Sequence, residues 1–274
     1  MHTAIKRAQT RIWQALKTKP NGLQVTTSFE STQKVLEKFA ESNVVLVVLH
    51  IDLVESTRLS MTLPADRLAT IIQSFYQEIS DIISAYGGYV LKYVGDAVIA
   101  FFVVPVDLSN ISSINAVNCA KSMIKIMQQG INPILNQYDY PEINVRIGID
   151  VGESTVKLTG WDIYHTETND PSKNGNKSKS NGNHENIFGH DNSRKEEVPT
   201  IKKPIYDIIG YTVNIATKMT AFAKPNQIVI RQLVYDALDN IQKGTFKRIY
   251  IDPKVWDYVS ESAGGSIYRI YGSI

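Results

Sequence analysis

The sequence predicts an α+β fold in which helices pack on a mostly antiparallel central sheet. Short apolar runs rich in β-branched residues, such as residues 43–52, have the length and composition of buried strands. Between them, apolar residues recur every three or four positions over residues 64–87 and 112–128, which is typical of amphipathic helices. Hairpins mixed with helical crossovers indicate the α+β class.

The first 42 residues are predicted to form a helical extension, and residues 43–274 the main domain. Residues 1–19 are predicted to be helical, and a second short helix covers Ser31 to Glu41. The apolar positions of the first helix share one face: Ile5, Ala8, Ile12, Trp13 and Leu16.

The first 29 residues contain no acidic residue, so three interpretations of the first helix stay open. It is a helix docked on the domain or on a dimer partner, a helix that makes peripheral contact with a membrane surface, or a transit peptide. Docking ranks first, because Trp13 with the aliphatic residues is enough to justify a protein contact.

The domain begins with a strand and alternates strands with helices. A helix opens at Pro64 and closes at Gly87, since proline favours the first turn and glycine the end of a helix. The remaining predicted elements are a hairpin of strands 88–94 and 97–104, a helix from Ser112 to Gln128, a hairpin made of INVRIGIDVG and STVKLTG, a strand leading into a helix within PIYDIIGYTVNIATKM, a strand at 226–230, and final strands in GTFKRIYI and SIYRIYGSI.

Residues 161–203 differ from the rest of the domain in composition. They are rich in Asn, Ser, Lys and Gly and poor in aliphatic residues, which predicts a flexible insertion. The insertion contains His165, His184 and His190, whose irregular spacing favours a solvated loop over a metal site.

Composition excludes several classes of function. A net charge of +2 gives no indication of nucleic-acid binding, which requires a clustered basic surface. The longest apolar runs are strand-sized and fall short of the roughly 18 residues of a membrane span. The single cysteine, Cys119, excludes a disulfide framework. We therefore expect a cytoplasmic location.

Two carboxylates occupy positions that suit a metal site. Asp52 ends the strand at 43–52, and Asp96 lies at the tip of the hairpin that follows the first long helix. If those strands are neighbours, the two carboxylates face each other at one edge and repel unless a cation lies between them. Mg²⁺ takes one or two protein carboxylates and completes its shell with water and phosphate. Taken singly, Asp52 also fits a strand-end cap, and Asp96 fits a common Gly-Asp turn.

Four segments together resemble the class III nucleotide cyclases, the adenylate and guanylate cyclase catalytic domains. HIDLVEST is similar to the family's first metal-binding segment, and GGYVLKYVGDAVIAFF to its K-x-x-G-D hairpin. VRIGIDVG resembles R-I-G-I-x-x-G, and YDIIGYTVNIATKM resembles D-x-x-G-x-x-V-N-x-A-[AS]-R. The segments occur in the family's order and cover about residues 43–273 without the insertion. The resemblance implies a ferredoxin-like cyclase catalytic fold.

The resemblance also implies roles for individual residues. Asp52 and Asp96 match the metal-binding aspartates, which hold two Mg²⁺ or Mn²⁺ ions per active site. Lys92 and Asp207 match the pair that reads the base, and a lysine with an aspartate implies adenine and hence ATP. Asn214 matches the asparagine that orients the ribose. The family's sites lie at a head-to-tail homodimer interface, where one chain supplies the aspartates and its partner the other three residues.

Two positions depart from the family pattern. His50 stands where the family has Phe, so it is either a buried, hydrogen-bonded histidine or the source of a pH effect. Lys218 stands at the arginine that stabilises the transferred phosphate. Lysine keeps the positive charge but lacks the planar two-donor fork, so slower catalysis is expected. Arg146 and Lys224 are candidates to compensate.

Three functional hypotheses follow. The first is an active adenylate cyclase that converts ATP to 3′,5′-cyclic AMP and pyrophosphate. The second is an inactive pseudo-cyclase that binds ATP or serves as a regulatory dimerisation module, and Lys218 is its main support. The third is a diguanylate cyclase or a polymerase palm, which the segment DIIGYTVNIATKM does not fit. The residues weigh in favour of the first.

Overall fold

The structure, a computed structural model, describes residues 1–17, 29–105, 109–165, 200–252, 254–260 and 266–274. The helices within these ranges are α1 (His2–Lys17), α2 (Phe29–Glu37), α3 (Ser56–Thr62), α4 (Ala65–Ala85), α5 (Ser109–Ile126), a π-helical turn (Met127–Ile131), α6 (Asn132–Asn136), α7 (Tyr211–Thr220), α8 (Gln232–Asp236) and α9 (Asn240–Lys243). The strands are β1 (Asn43–Val54), β2 (Tyr89–Val94), β3 (Ala97–Val103), β4 (Asn144–His165), β5 (Thr200–Ile209), β6 (Gln227–Arg231), β7 (Phe246–Ile249), β8 (Val259–Ser260), β9 (Ser266–Ile267) and β10 (Ile270–Ser273).

Eight strands of the described ranges form one sheet. Seven follow the order β2-β3-β1-β4-β6-β10-β7, and β5 pairs with β4 beside this path. The pairs β1–β3, β1–β4, β2–β3, β6–β10 and β7–β10 are antiparallel, and β4–β6 is parallel. Strands β8 and β9 form a separate short ribbon. The predicted α+β class with a mostly antiparallel sheet is confirmed.

The continuous apolar sequence of β1 fits its position in the middle of the sheet. Val47, Leu49 and Ile51 belong to the larger core cluster, together with residues of α1, α4 and α5. Leu46 and Val48 belong to a second cluster, with residues of α2 and α7. Because side chains alternate along a strand, a strand buried on both faces is apolar at successive positions.

The hairpin of β2 and β3 has the two-residue loop that the sequence predicts. Gly95 opens the loop at φ +63°, a conformation that glycine adopts without steric cost. Val94 pairs directly with Ala97, so Asp96 lies at the tip. The loop therefore places this carboxylate at the end of the sheet.

The predicted hairpin of INVRIGIDVG with STVKLTG is wrong. Residues 144–165 form the single strand β4, which pairs with β1 from Asn144 to Thr155. The strand passes close to α7 at Gly152, where a Cβ would lie 2.4 Å from the Tyr211 hydroxyl oxygen. The glycine is therefore needed for close packing against the start of α7, and the strand continues through it.

Helix α1 is docked on the domain, as the first of the three interpretations states. Ala8, Ile12 and Leu16 are buried in the larger core cluster, and a Cβ at Gly130 would lie 3.1 Å from the Cβ of Ala8. Trp13 lies outside this contact and is 39% exposed, with the Lys17 ammonium 3.5 Å above its ring. The described helices include none with both the length and the apolar content needed to cross a bilayer.

Charged residues fix α1 on α4. Arg11 contacts Glu78 and Asp81, with 3.1 Å between Arg11 Nη2 and Asp81 Oδ2. The Glu78 side chain is buried, and burial raises the pKa of its carboxyl while Arg11 and Arg7 oppose the shift. A buried carboxylate requires such partners, so the pairing favours one docking position.

The chain forms two compact units. The first comprises residues 1–157 and 206–274, and the second comprises residues 158–205. The described part of the second unit is the distal part of β4 and the beginning of β5, where the Thr159 hydroxyl donates to the carbonyl oxygen of Ile205. The predicted insertion at 161–203 falls mostly outside the described residues, and His184 and His190 lie there.

We expect Ile12→Ala to lower the free energy of unfolding by about 2 to 4 kcal/mol, because it removes a buried side chain and leaves a cavity between α1 and the core. The exposed Lys6→Ala variant on the same helix is the matched control, and its effect should stay within about 0.5 kcal/mol. Urea unfolding of both variants measures the difference. Equal midpoints would show that α1 does not dock in solution.

Candidate active site

Lys92 and Asp52 lie on the same face of the sheet. In the strand register Lys92 is opposite Ile99, and Ile99 is opposite His50. Residues directly opposite one another share a face, and Asp52 shares the face of His50 because it is two residues further along β1. This face, which also carries the smaller core cluster and α7, is called the site face below.

An irregularity in β2 directs Lys92 to the site face. Val90 is opposite Ala100, and the next opposed pair is Lys92 with Ile99, so Leu91 is an extra residue. In a regular strand Lys92 would share the face of Val90, which belongs to the larger core cluster. The bulge therefore moves the lysine away from the core.

Asp52 and Asp96 lie at the same end of the sheet. Ile51 is opposite Val98, so Asp52 follows opposite Ala97, next to the hairpin tip at Asp96. Both carboxylates influence the pKa of His50, which indicates that they share one neighbourhood. The predicted juxtaposition of the two aspartates across neighbouring strands therefore agrees with the structure.

Asp52 has a partner that the sequence analysis did not assign. Arg146 of β4 is directly opposite it, and the Nε and Nη2 atoms of Arg146 both lie 2.8 Å from Asp52 Oδ2. Because both contacts fall on Oδ2, the other carboxylate oxygen faces no described hydrogen-bond donor. Arg146 thus orients Asp52 and adds positive charge at this end of the sheet.

His50 is held by packing and a hydrogen bond. Its Nδ1 lies 3.1 Å from the Thr220 hydroxyl oxygen. The same hydroxyl donates to the carbonyl oxygen of Ala216 at 2.9 Å, so Thr220 joins the His50 ring to α7. Burial lowers the pKa of His50, and Asp52 partly opposes the shift. The arrangement agrees with the hydrogen-bonded histidine considered from sequence.

Lys92 and Asp207 form an ion pair on the site face. The Lys92 ammonium contacts Asp207 Oδ2, and the side chains are 38% and 28% exposed. Asp207 Oδ1 accepts from the amide of Ile208 at 2.8 Å, which fixes the carboxylate. The lysine retains two further N–H donors. The predicted base-reading pair is therefore assembled within one chain and accessible to a ligand.

Helix α7 presents Asn214 and Lys218 on its exposed side. The two residues are four apart and therefore lie one turn above each other, while Ile215 and Met219 are buried on the opposite side. Glycine permits this packing, since a Cβ at Gly148 would lie 2.1 Å from the carbonyl oxygen of Ala216. The close contact of β4 with α7 fixes the height of both predicted site residues above the sheet.

Lys218 contacts a tyrosine that the sequence analysis missed. Its ammonium donates a hydrogen bond to the Tyr258 hydroxyl and lies 4.3 Å from the centre of that ring. The two residues are 40 positions apart, so no local pattern connects them. The other two candidates to compensate for the missing arginine lie elsewhere: Arg146 binds Asp52, and Lys224 follows the end of α7.

A second missed feature is a buried ion pair under the start of α7. Arg231 donates to Asp150 Oδ1 and to the carbonyl oxygen of Val151. Its guanidinium lies 4.4 Å from the Tyr268 ring centre and 5.6 Å from that of Tyr211. Burial raises the pKa of Asp150 to about 7, and the charge of Arg231 opposes this shift. The pair ties β4 and β6 to the first residue of α7.

The donor set at Asp52 and Asp96 fits a divalent cation. Carboxylate oxygens are hard ligands of the kind that Mg²⁺ and Mn²⁺ prefer, and two of them lie at one end of the sheet. The charge of Arg146 beside Asp52 is compatible with an anionic ligand that shares the site.

Comparison with known proteins agrees with this geometry. The family model described as the adenylate and guanylate cyclase catalytic domain matches residues 39–188 and 195–254, which is well over half of the chain. The chain belongs to this family. It is therefore a class III nucleotide cyclase catalytic domain, and divalent metal ions are generally used by this family of lyases.

Known relatives differ in the nucleotide they are named for. Two cytidylate cyclases of Escherichia coli are 30% identical over 42% of this chain and 34% identical over 39% of it. The matched stretches cover 26% and 24% of those relatives, so this cyclase domain spans about a quarter of their length.

Solved structures of cyclases share the fold. The adenylyl cyclase CyaB of Pseudomonas aeruginosa has a TM-score of 0.56 at 21% identity, covering 85% of this chain and 95% of that one. The guanylyl cyclase Cya2 has a TM-score of 0.59 at 15% identity, covering 85% and 93%. A dimeric guanylyl cyclase domain from Blastocladiella emersonii has a TM-score of 0.54 at 18% identity, covering 85% and 98%. The predicted cyclase fold is confirmed.

We expect Gly148→Ala to reduce both stability and nucleotide turnover, because its methyl group cannot fit against the Ala216 carbonyl without displacing α7. Overpacking of this kind costs about 1 to 3 kcal/mol. Gly244→Ala is the matched control, since its Cβ would meet its nearest neighbour at an ordinary 3.4 Å. Unfolding midpoints and initial rates measure both effects. An unchanged Gly148→Ala variant would contradict the close packing.

Proposed function

We propose that the protein is an adenylate cyclase that converts ATP to 3′,5′-cyclic AMP and pyrophosphate. The observation that carries the proposal is the accessible Lys92–Asp207 pair on the same face as Asp52. The pair supplies a hydrogen-bond donor beside an acceptor. Adenine presents the complementary edge, a ring nitrogen that accepts beside an exocyclic amine that donates.

The same pair disfavours guanine. Guanine has a ring N–H where adenine has the acceptor nitrogen, and a carbonyl oxygen where adenine has the amine. Lys92 would therefore face another donor, and Asp207 would face another acceptor. Buried polar groups without partners are costly, and sites built on such pairs discriminate strongly. Because Asp207 is fixed by the Ile208 amide, its carboxylate cannot turn away from the mismatch without losing that bond.

The remaining residues suit intramolecular transfer at the α-phosphate. The 3′-oxygen of the ribose forms a bond to the α-phosphorus, the bond to the pyrophosphate oxygen breaks, and the hydroxyl proton leaves to solvent. In this proposal Asn214 orients the ribose, and Lys218 offsets negative charge on the phosphate. Two Mg²⁺ or Mn²⁺ ions held by Asp52 and Asp96 would activate the hydroxyl and neutralise the leaving pyrophosphate.

The proposal includes a head-to-tail homodimer with two shared sites. Val94, Ile209 and Tyr211 are apolar or aromatic residues at 52%, 56% and 45% exposure. They flank Lys92 and Asp207 in the sequence, and exposed apolar residues around a site favour a subunit contact. In this arrangement Lys92 and Asp96 of one hairpin serve different sites.

The domain assignment and location belong to the same proposal. Residues 43–274 form the catalytic domain, and residues 1–42 form an extension whose helix α1 packs on it. A reducing cytoplasmic location is part of the proposal, and the single cysteine, Cys119, is a free and buried thiol. ATP and a homodimer partner are the proposed ligands, and nucleic acid is not.

Cytidylate cyclase is the second candidate, because the two Escherichia coli relatives carry that name. The chemistry of the Lys92–Asp207 pair permits it. Cytosine, like adenine, presents a ring nitrogen acceptor beside an exocyclic amine. The pair therefore separates ATP and CTP from GTP and UTP, whereas the size of the base must separate ATP from CTP.

The purified full chain should be incubated with each of the four ribonucleoside triphosphates and Mg²⁺ or Mn²⁺. We expect cyclic AMP from ATP. Cyclic CMP as the main product would establish the second candidate instead. No cyclic product under either metal, with nucleotide binding intact, would indicate a pseudo-cyclase.

Asp52→Asn and Asp96→Asn should each lower turnover at least about a hundredfold, because each removes a charged metal ligand. Asp66→Asn on the exposed start of α4 is the matched control.

We expect Lys92→Glu combined with Asp207→Cys to reduce the preference for ATP over GTP by at least about tenfold, because the donor and acceptor positions are exchanged or neutralised. Competition between the two nucleotides in one reaction measures the ratio of their kcat/KM values. Lys247→Gln is the charge-matched control, since it also lowers the net charge by one and Lys247 is exposed on the edge strand β7. Unchanged discrimination in the double variant would place base reading elsewhere.

A further inference from the structure

Lys218 and Tyr258 form a pair on the exposed side of α7. The ammonium donates to the tyrosine hydroxyl and lies 4.3 Å from the ring centre. Two favourable contacts thus hold the cation, a hydrogen bond and a cation–π interaction. Lys218 stands at the position where the family's pattern has arginine. The groups that contact Lys218 therefore affect how its ammonium faces a ligand.

Tyr258 is fixed by the core of the domain and is not a loose surface residue. The neighbouring Trp256 is buried against α7, and the rings of Trp256 and Tyr258 meet edge-to-face at 4.8 Å. The Trp256 indole N–H donates to the carbonyl oxygen of Tyr268 at 3.0 Å. The Tyr268 amide in turn donates to the carbonyl oxygen of Tyr258 at 2.9 Å. These contacts hold the tyrosine backbone and ring beside α7.

The direction of the hydrogen bond leaves the tyrosine proton available. The Tyr258 oxygen accepts from Lys218, so its own O–H can donate to a third group. A hydroxyl that accepts from a cation is a stronger donor, because hydrogen bonds in a chain polarise one another. The ammonium keeps two further N–H groups. The pair therefore presents an N–H and an O–H side by side.

We propose that Lys218 and Tyr258 together bind the triphosphate as a two-donor unit, with Tyr258 contacting a phosphate oxygen directly. An arginine presents two parallel N–H donors that match two phosphate oxygens. Lysine alone supplies the charge without this geometry, and the Tyr258 hydroxyl restores the second donor. The inference rests on the proposed cyclase function and adds Tyr258 to its substrate-contacting residues.

The test is a double-mutant cycle of Tyr258→Phe and Lys218→Arg. Tyr258→Phe removes the hydroxyl and keeps the ring. In the Lys218 enzyme it should lower kcat about ten- to a hundredfold, the range for loss of one donor to a developing phosphate charge. In the Lys218→Arg background the guanidinium has its own second donor, so Tyr258→Phe should cost less than about threefold. The Lys218→Arg enzyme is the reference for the second background.

The comparison between backgrounds separates a direct role from a structural one. An equal loss in both backgrounds, or no loss in either, would overturn the inference, because Tyr258 would then act on the fold or not at all. Tyr250→Phe is the matched control, since Tyr250 is 81% exposed and lies outside the pair. Its kcat should equal that of the unmodified enzyme. Melting temperatures of all variants exclude unfolding as the cause.

A second readout keeps the inference testable if the protein turns over no nucleotide, in which case the proposed function fails. Binding of inorganic triphosphate is then measured by calorimetry for the same four proteins. Affinity that falls at least about fivefold for Tyr258→Phe in the Lys218 background, and is unchanged in the arginine background, supports the two-donor unit. Equal affinities, or no binding by the unmodified protein, would overturn it.

Discussion

The close contact between β4 and α7 at Gly148 is the constraint on which the site depends. A side chain at this position would collide with the Ala216 carbonyl, so the helix can approach the sheet only over a glycine. That approach brings Thr220 within reach of His50 and holds Asn214 and Lys218 above the strands. Trp256 packs with Ile215 and Met219 of the same helix, and its ring contacts Tyr258. The positions of the predicted site residues on α7 therefore depend on the absence of a side chain at Gly148 of β4.

Charges on the site face are arranged by strand geometry in a similar way. A one-residue bulge turns Lys92 out of the core, and strand register sets Arg146 opposite Asp52. The outcome is an alternation of charge along one end of the sheet, with acidic and basic groups held next to each other. In this structure the basic and acidic groups pair with each other, Lys92 with Asp207 and Arg146 with Asp52.

Sequence reasoning identified candidate residues within short motifs and missed pairs that form between distant segments. Asp52 and Asp96 were predicted from their places at a strand end and a hairpin tip, and Lys92 and Asp207 from the resemblance to the cyclase family; their roles stay predictions. The predicted hairpin of residues 143–160 was wrong, because the backbone continues as the single strand β4. The contact of Lys218 with Tyr258 depends on how strands and helices pack, and no periodic pattern in the sequence links two residues that are 40 positions apart.

The docking of α1 has a consequence for how the protein is made. The helix precedes in the chain both Glu78 and Gly130, against which it packs. At about 5 to 20 residues per second, the interval between the synthesis of Ile12 and that of Gly130 is on the order of ten seconds. The apolar face of α1 can therefore dock only after these later segments have been synthesised.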